Sequence, residues 1–272
     1  MPVRLLALDL DGTIVDGHMQ VSPRTRRALH AAILAQVHVT LASGRIFDSM
    51  RVFAEDLGIR ESLICMQGAL VQDPVSEQVL LRRGVPRELV REFVTFGREQ
   101  DWDMGLYLGG TLYVERVTSN LCFYAEYGRA HETLHAVVDL CALLCEEPMK
   151  LVVVAEGPGQ AAEINGLLQQ RFAGRLGIVR SFARFIEGTH LCASKGRALS
   201  FLAERLGVAQ ADTMAIGDND NDADMVAWAG FGVAMGNASA AVKVAARYVA
   251  PAIEQDGAAE AVERFVLEAR DG

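Results

Sequence analysis

The chain has 272 residues, half of them hydrophobic, and a formal charge of −9. That length allows one large or two moderate domains with an ample core, and the acidic balance argues against a nucleic-acid scaffold. No apolar stretch is long enough to span a bilayer, the opening residues lack the pattern of a secretory leader, and the five cysteines form no Cys-x-x-Cys. A cytoplasmic protein with reduced thiols, and neither nucleic acid nor membrane as partner, is therefore expected.

Leu5 to Leu8 is continuously apolar, as expected of a parallel strand buried on both faces. It delivers Asp9 and Asp11 into a turn at Gly12, and the alternation of a strand points both carboxylates to the same side. Ser22-Pro23 then opens a helix, with Ser as cap and Pro at its first position. That helix runs to about Gln36. A second strand, Val37 to Ala42, ends in Ser43-Gly44-Arg45. A second helix runs to Leu57 and closes at Gly58, and a third strand covers Leu63 to Met66. Strand and helix in alternation predict a doubly wound parallel sheet.

The pattern then changes. A strand edge at Leu80 to Arg83 leads to a helix from Pro86 to about Gln100. A hairpin follows, Met104 to Leu108 and Thr111 to Val114 about Gly109-Gly110. A helix is expected over about 130–145, a strand over 150–155, a helix over 161–172, and one or two strands over 177–187. From Lys195 the doubly wound pattern returns. A helix to Leu206 is followed by strand Thr213 to Ile216, which ends in Gly217-Asp218-Asn219-Asp220-Asn221-Asp222. A short helix to Trp228, a strand 232–235, a helix 238–246, a strand 248–250 and a last helix from Glu254 complete the chain. The fold class expected is α/β: a Rossmann-like core over 1–83 and 189–272, with an inserted α+β segment over 84–188.

The polar residues gather at the carboxyl ends of the core strands, which in a parallel sheet share one edge. The set is Asp9 and Asp11, Ser43 with Gly44 and Arg45, Lys195 at a helix start, and Asp218, Asn221 and Asp222. Two close carboxylates prefer different protonation states unless a cation intervenes, so one suits a nucleophile or metal ligand and the other a general acid. Carboxylates with water make a hard-cation site, and a lysine and a hydroxyl remain to hold a phosphoryl group. Asp9 can then be the covalent nucleophile.

These motifs resemble the haloacid dehalogenase superfamily, in particular its Cof-like phosphatases with a large α/β cap. The resemblance rests on Asp9-Leu10-Asp11-Gly12-Thr13, Ala42-Ser43-Gly44-Arg45, Ser194-Lys195-Gly196, Gly217-Asp218 with Asn221-Asp222, and Gly232 to Ala238 with Asp256-Gly257. It implies a Mg²⁺-dependent phosphatase of small phosphorylated metabolites, sugar phosphates or related monoesters, with an aspartyl-phosphate intermediate. Asp9 attacks phosphorus, and Asp11 serves as acid and then base. Ser43, Gly44, Lys195 and Asn221 hold the phosphoryl group. Asp9, the Asp11 carbonyl and Asp218 bind Mg²⁺, with Asp222 behind them orienting Lys195 or a metal-bound water. The chain departs from the family in having Gln67-Gly68 where Asn-Gly is usual, and Ser43 where Thr is more frequent.

A sugar phosphomutase is the alternative, separable by its products. A phospho-acceptor signalling domain uses similar residues but needs neither a carboxylate at the position of Asp11 nor an insertion. The insertion is expected to cover the strand ends and choose the substrate, with Tyr107, Glu187 and Arg45 as candidate contacts. His131-Glu132-Thr133-Leu134-His135 matches a zinc-protease helix, yet no third ligand follows, and its neighbours read as an ordinary amphipathic helix.

Overall fold

The computed structural model describes residues 3–127 and 134–268. They group into two compact units. One takes in Met1–Gly44, Met50–Leu80 and Ser194–Gly272, and the other Arg45–Ser49 and Leu81–Ala193. In chain order the elements are β1 (Leu5–Leu8), α1 (Pro23–Leu34), β2 (His38–Leu41), α2 (Phe47–Leu57), β3 (Leu63–Cys65), β4 (Leu70–Gln72) and β5 (Val79–Arg82). Next come α3 (Arg87–Glu99), β6 (Asp103–Leu108), β7 (Thr111–Val114), α4 (Ser119–Tyr127), β8 (Leu134–Ala136), β9 (Lys150–Val154), α5 (Pro158–Arg171), β10 (Leu176–Phe182) and β11 (Phe185–His190). The chain then continues through α6 (Lys195–Leu206), β12 (Thr213–Gly217), α7 (Ala223–Trp228), β13 (Phe231–Ala234), α8 (Ala240–Ala245), β14 (Tyr248–Val249) and α9 (Gly257–Val262).

In the first unit the strands β14-β13-β12-β1-β2 form one parallel sheet. β1 lies between β2 and β12, with Leu8 opposite Leu41 on one side and Ile216 on the other. Every residue of β1, and Leu10 beyond it, is fully buried. This is why the run reads as unbroken leucine and alanine, and each such leucine stabilises the fold by about 1.5–3 kcal/mol. The chain leaves β1 toward β2 but proceeds from β12 toward β13, so the order reverses between β1 and β12. Crevices form at such switch points, outside the carboxyl ends of the strands. β3 joins the edge of β2 through the parallel bridge Ala42↔Ile64 and then pairs antiparallel with β4. Ser22 caps α1 by accepting from the Thr25 N–H at 3.1 Å, and Ser194 caps α6 from the Arg197 N–H at 3.2 Å.

The second unit is a six-stranded sheet in the order β10-β11-β9-β6-β7-β8, antiparallel except for β7 with β8. Its core joins Phe93 and Val94 of α3, Ile164 and Leu168 of α5 and the adjoining Phe172 to Leu106, Leu151, Val153 and Ile186 of the strands. Those strand residues alternate along the chain, so one sheet face carries the helices.

The helix expected over 130–145 is not formed within the described residues. Residues 134–136 are a strand, paired with Leu112–Val114, and Leu140–Leu143 is a short 3-10 turn. Tertiary partners explain the difference. The backbone N–H groups of Leu140 and Cys141 donate to the side chains of Glu115 and Asp139, and Arg98 bonds to both carboxylates. Cys141 and Cys145 therefore do not lie on one helix. The sequence reading missed α4, a short helix whose start Thr118 caps by accepting from the Leu121 N–H, and it missed β4. The strands expected at 177–187 are a hairpin of two, and the last α-helix begins at Gly257 after a 3-10 turn at Ile253–Gln255. No helix among the described residues is long and apolar enough to cross a membrane.

Candidate active site

Asp9 follows β1 directly, and its N–H donates to the Ile216 carbonyl at 3.0 Å, which extends the ladder to β12 by one residue. Lys195, the first residue of α6, is 1% exposed. Its ammonium donates to Asp9 Oδ1 at 2.6 Å and to Asp222 Oδ1 at 2.5 Å. The other oxygen of Asp222 accepts from the backbone N–H groups of Asp218 and Asn219 at 3.1 and 3.0 Å. Asp222 thus braces the loop after β12 and orients Lys195. Asp218 Oδ1 accepts from the Thr13 hydroxyl at 3.1 Å, and Asn237 Nδ2 donates to the Gly12 carbonyl at 2.9 Å and to Asp218 Oδ2 at 3.3 Å. Gly12 has φ +84°, and a Cβ there would lie 2.4 Å from Asp218 Oδ2, so only glycine lets the two strand ends approach this closely.

Asp9, Asp218 and Asp222 each bring one oxygen to within 4.8 Å of the others. Burial and the neighbouring charge of Asp222 push the Asp9 carboxyl well above its ordinary range, against the pull of Lys195. The same two causes push Asp218 up to about 7. Burial alone would lower the Lys195 ammonium, but Asp222 and Asp9 more than reverse this and raise it. Two buried carboxylates and one half-buried carboxylate around one ammonium leave an excess of negative charge, and the donor set is all oxygen. Asn221 Oδ1 is buried with no hydrogen-bond donor among the described residues. An unmet acceptor beside an oxygen-only acidic cluster fits a hydrated divalent cation. The Asp11 carboxylate is not in the cluster.

Ser43 is buried just beyond β2, where its N–H donates to the Ile64 carbonyl at 2.9 Å. Gly44 follows it. Arg45 is also buried, donates to the Ser49 hydroxyl at 3.1 Å, and falls in the short segment that groups with the second unit. Beyond β3, Met66, Gln67 and Gly68 have φ of 49°, 57° and 84°. For the two that are not glycine this costs of order 1–3 kcal/mol each. Gly68 packs so closely on the Ser194 carbonyl that a Cβ would lie 2.2 Å from its oxygen. Gln67 Oε1 accepts from Asn221 Nδ2 at 2.8 Å.

The structure thus brings Asp9, Lys195, Asp218 and Asp222 together, with Asn221 on the same loop. Sequence reasoning passed over Thr13, Asn237 and Asp224, whose Oδ2 accepts from the Gly196 N–H at 3.1 Å. The first two lie inside the quoted motifs, but nothing in their spacing marked them as braces for Asp218. Tyr107 and Glu187, suggested as substrate contacts, are buried residues of the second unit. Glu187 binds Lys150 and Tyr124 there, and the Lys150 ammonium lies over the Tyr107 ring.

A family model described as haloacid dehalogenase-like hydrolase matches residues 6–262. YxeH of Bacillus subtilis, provisionally named a phosphatase, is 30% identical over 97% of this chain and 98% of its own. YcsE of the same organism, named a 5-amino-6-(5-phospho-D-ribitylamino)uracil phosphatase, is 29% identical over 97% of this chain and 96% of its own. A crystal structure of a haloacid dehalogenase-like hydrolase from Bacteroides thetaiotaomicron superposes with a TM-score of 0.85 at 27% identity, covering 96% of this chain and 99% of that one. The chain therefore belongs to the haloacid dehalogenase-like hydrolases.

Proposed function

We propose that this haloacid dehalogenase-like hydrolase is a Mg²⁺-dependent phosphatase of small phosphorylated metabolites, sugar phosphates or related monoesters, working through an aspartyl-phosphate. The observation that carries the reading is the buried constellation at the switch point, in which Lys195 holds one oxygen of Asp9 at 2.6 Å beside Asp218 and Asp222. Phosphatase names among relatives that match nearly the full length support it.

In this reading the Asp9 carboxylate attacks phosphorus, and the P–O bond to the leaving alcohol breaks. Asp11 gives that alkoxide a proton. Asp11 then takes a proton from water as the water attacks the acyl phosphate, which frees inorganic phosphate and restores Asp9. Lys195 and Ser43 donate to phosphoryl oxygens, Gly44 and Asn221 contact the same group, and Arg45 is a candidate substrate contact. Mg²⁺, held by Asp9, Asp218 and the Asp11 carbonyl, would supply charge neutralisation for the phosphoryl oxygens. Burial pushes Asp9 toward its protonated form, in which it cannot attack, so Lys195 acts on the nucleophile as well as the substrate.

A panel of phosphorylated sugars, nucleotides and cofactors with Mg²⁺, read by phosphate release, tests the proposal. Turnover of at least one ester, lost in Asp9→Asn, is expected. No release from any ester would overturn it, and recovery of an isomeric sugar phosphate instead of free phosphate would make the enzyme a phosphomutase.

A further inference from the structure

We propose that Gln67 is a positioning residue: its side-chain carbonyl fixes the rotation of the Asn221 carboxamide and, through it, the affinity of the site for a phosphoryl group. The proposal rests on the reading of Asn221 as a phosphate contact. It starts from the turn after β3, where a buried glutamine is held in a left-handed conformation between another left-handed residue and a glycine. Strain of this kind persists only where the surroundings enforce it, and it is concentrated at functional sites.

The surroundings of this turn are the motifs themselves. The Gln67 N–H donates to the Ser43 carbonyl at 3.1 Å. Gly68 packs against the carbonyl of Ser194, the residue before Lys195. The Gln67 side chain reaches Asn221 at 2.8 Å, across 154 positions of sequence. One short turn therefore touches the three segments that carry Ser43, Lys195 and Asn221.

A carboxamide has two N–H hydrogens on one side and an acceptor oxygen on the other. Gln67 accepts one of the Asn221 hydrogens. That sets which edge faces which way, leaving the second N–H for a phosphoryl oxygen. Without the Gln67 carbonyl the group can turn over and present its oxygen where a donor is needed, and two acceptors then face each other. Asparagine, usual at this position in the family this chain resembles, is one methylene shorter and would not span the same gap without movement of the turn. The coupling is thus a property of the glutamine in this chain.

The test uses the full-length protein with Mg²⁺ and inorganic phosphate as the probe, its affinity read by calorimetry, together with kcat and KM for the best ester of the panel. Gln67→Met keeps the length and removes the carbonyl, and Asn221→Ala removes its partner. Each is expected to weaken phosphate binding about tenfold, the effect of one lost hydrogen bond, and to raise KM more than it lowers kcat. The double variant should be no worse than Asn221→Ala alone. Gln67→Asn should fall between wild type and Gln67→Met, and it provides the reading if the methionine variant does not fold. Unchanged phosphate affinity in the position-67 variants, or losses that multiply in the double variant, would overturn the proposal. If Asn221→Ala also leaves phosphate binding unchanged, the role given to Asn221 falls with it. If Asn221→Ala weakens binding and Gln67→Met does not, only the coupling is wrong.

Discussion

Two lysines are buried in this molecule, and their surroundings differ in kind. Lys150, in the second unit, donates to Glu187 at 2.9 Å, and the same Glu187 oxygen accepts from the Tyr124 hydroxyl at 3.0 Å. Its ammonium lies 4.6 Å from the Tyr107 ring centre and 5.8 Å from that of Tyr124. In these contacts the cation meets a carboxylate and two aromatic faces. Lys195, in the first unit, meets Asp9 and Asp222 with Asp218 close by, so charge is not balanced. Burying a charge does not by itself mark a site, because a paired lysine can be purely structural. In the proposed function, the excess of carboxylates around Lys195 draws in a cation, and the cation in turn offsets the charge of a phosphoryl group.

The sharpest way to break this comparison is to remove one carboxylate from each cluster. Asp9→Asn should lower phosphate release at least a thousandfold, because an amide is no nucleophile here. In EDTA the same variant should melt no lower than wild type, since it relieves like-charge repulsion among buried groups. Retention of more than a few per cent of turnover, in protein free of deamidation, would remove Asp9 from its role. Glu187→Gln should do the opposite in the second cluster: it removes the carboxylate that the Lys150 ammonium meets and lowers the melting temperature.

The cost of breaking the Lys150–Glu187 pair should be large. Lys150→Met removes the ammonium from which Glu187 accepts, for a loss of about 3–5 kcal/mol in urea unfolding. Lys150→Met combined with Glu187→Leu should recover much of it. A loss under about 1 kcal/mol in the single variant would mean that the other contacts of Glu187, the Tyr124 hydroxyl among them, suffice to hold it.

The first unit was legible because its rules are local. Apolar strands end in acidic or glycine-rich turns, and a parallel sheet sends all those ends to one edge. Asp9, Lys195, Asp218 and Asp222 could be grouped on that basis alone. The second unit was less legible because its contacts decide its elements. The segment 134–143 has the apolar spacing of a helix, yet the free edge of β7 and the Arg98, Glu115 and Asp139 network draw it into a strand and a turn. Gln67 was visible only as a departure from a pattern. Its meaning depends on a partner 154 positions away, which no local rule supplies.

A smaller effect sharpens the claim of imbalance. Asp218 is pushed up to about 7 by burial and then by Asp222, against about 3.9 in an unfolded chain. The folded protein therefore binds more protons than the unfolded one between roughly pH 4 and 7. Without metal, stability should fall as pH rises through that window. A divalent cation offsets the repulsion, so the gap in melting temperature between Mg²⁺ and EDTA should widen by several degrees from pH 5 to pH 8. A gap that is equal, or larger at pH 5, would show that the cluster does not hold the cation through these carboxylates.

The smallest expected effect lies in the second unit and tests whether a competing metal centre exists there. A zinc-protease motif needs both of its histidines one turn apart on the same helix face. His131 and Glu132 lie outside the described residues, but His135 sits in the middle of β8, with its ring 5.7 Å from that of Tyr113 on the neighbouring strand. A residue inside a strand does not lie on the helix face that this motif requires. Both histidines also lie outside the segments that carry Asp9, Ser43, Lys195 and Asp218. Replacing His131 and His135 with alanine should therefore leave phosphate release within about threefold, a change under about 1 kcal/mol in the barrier. Metal analysis of the purified protein provides the second arm. Stoichiometric zinc, lost together with activity in the double variant, would place a catalytic metal in the second unit and end the contrast between the two clusters.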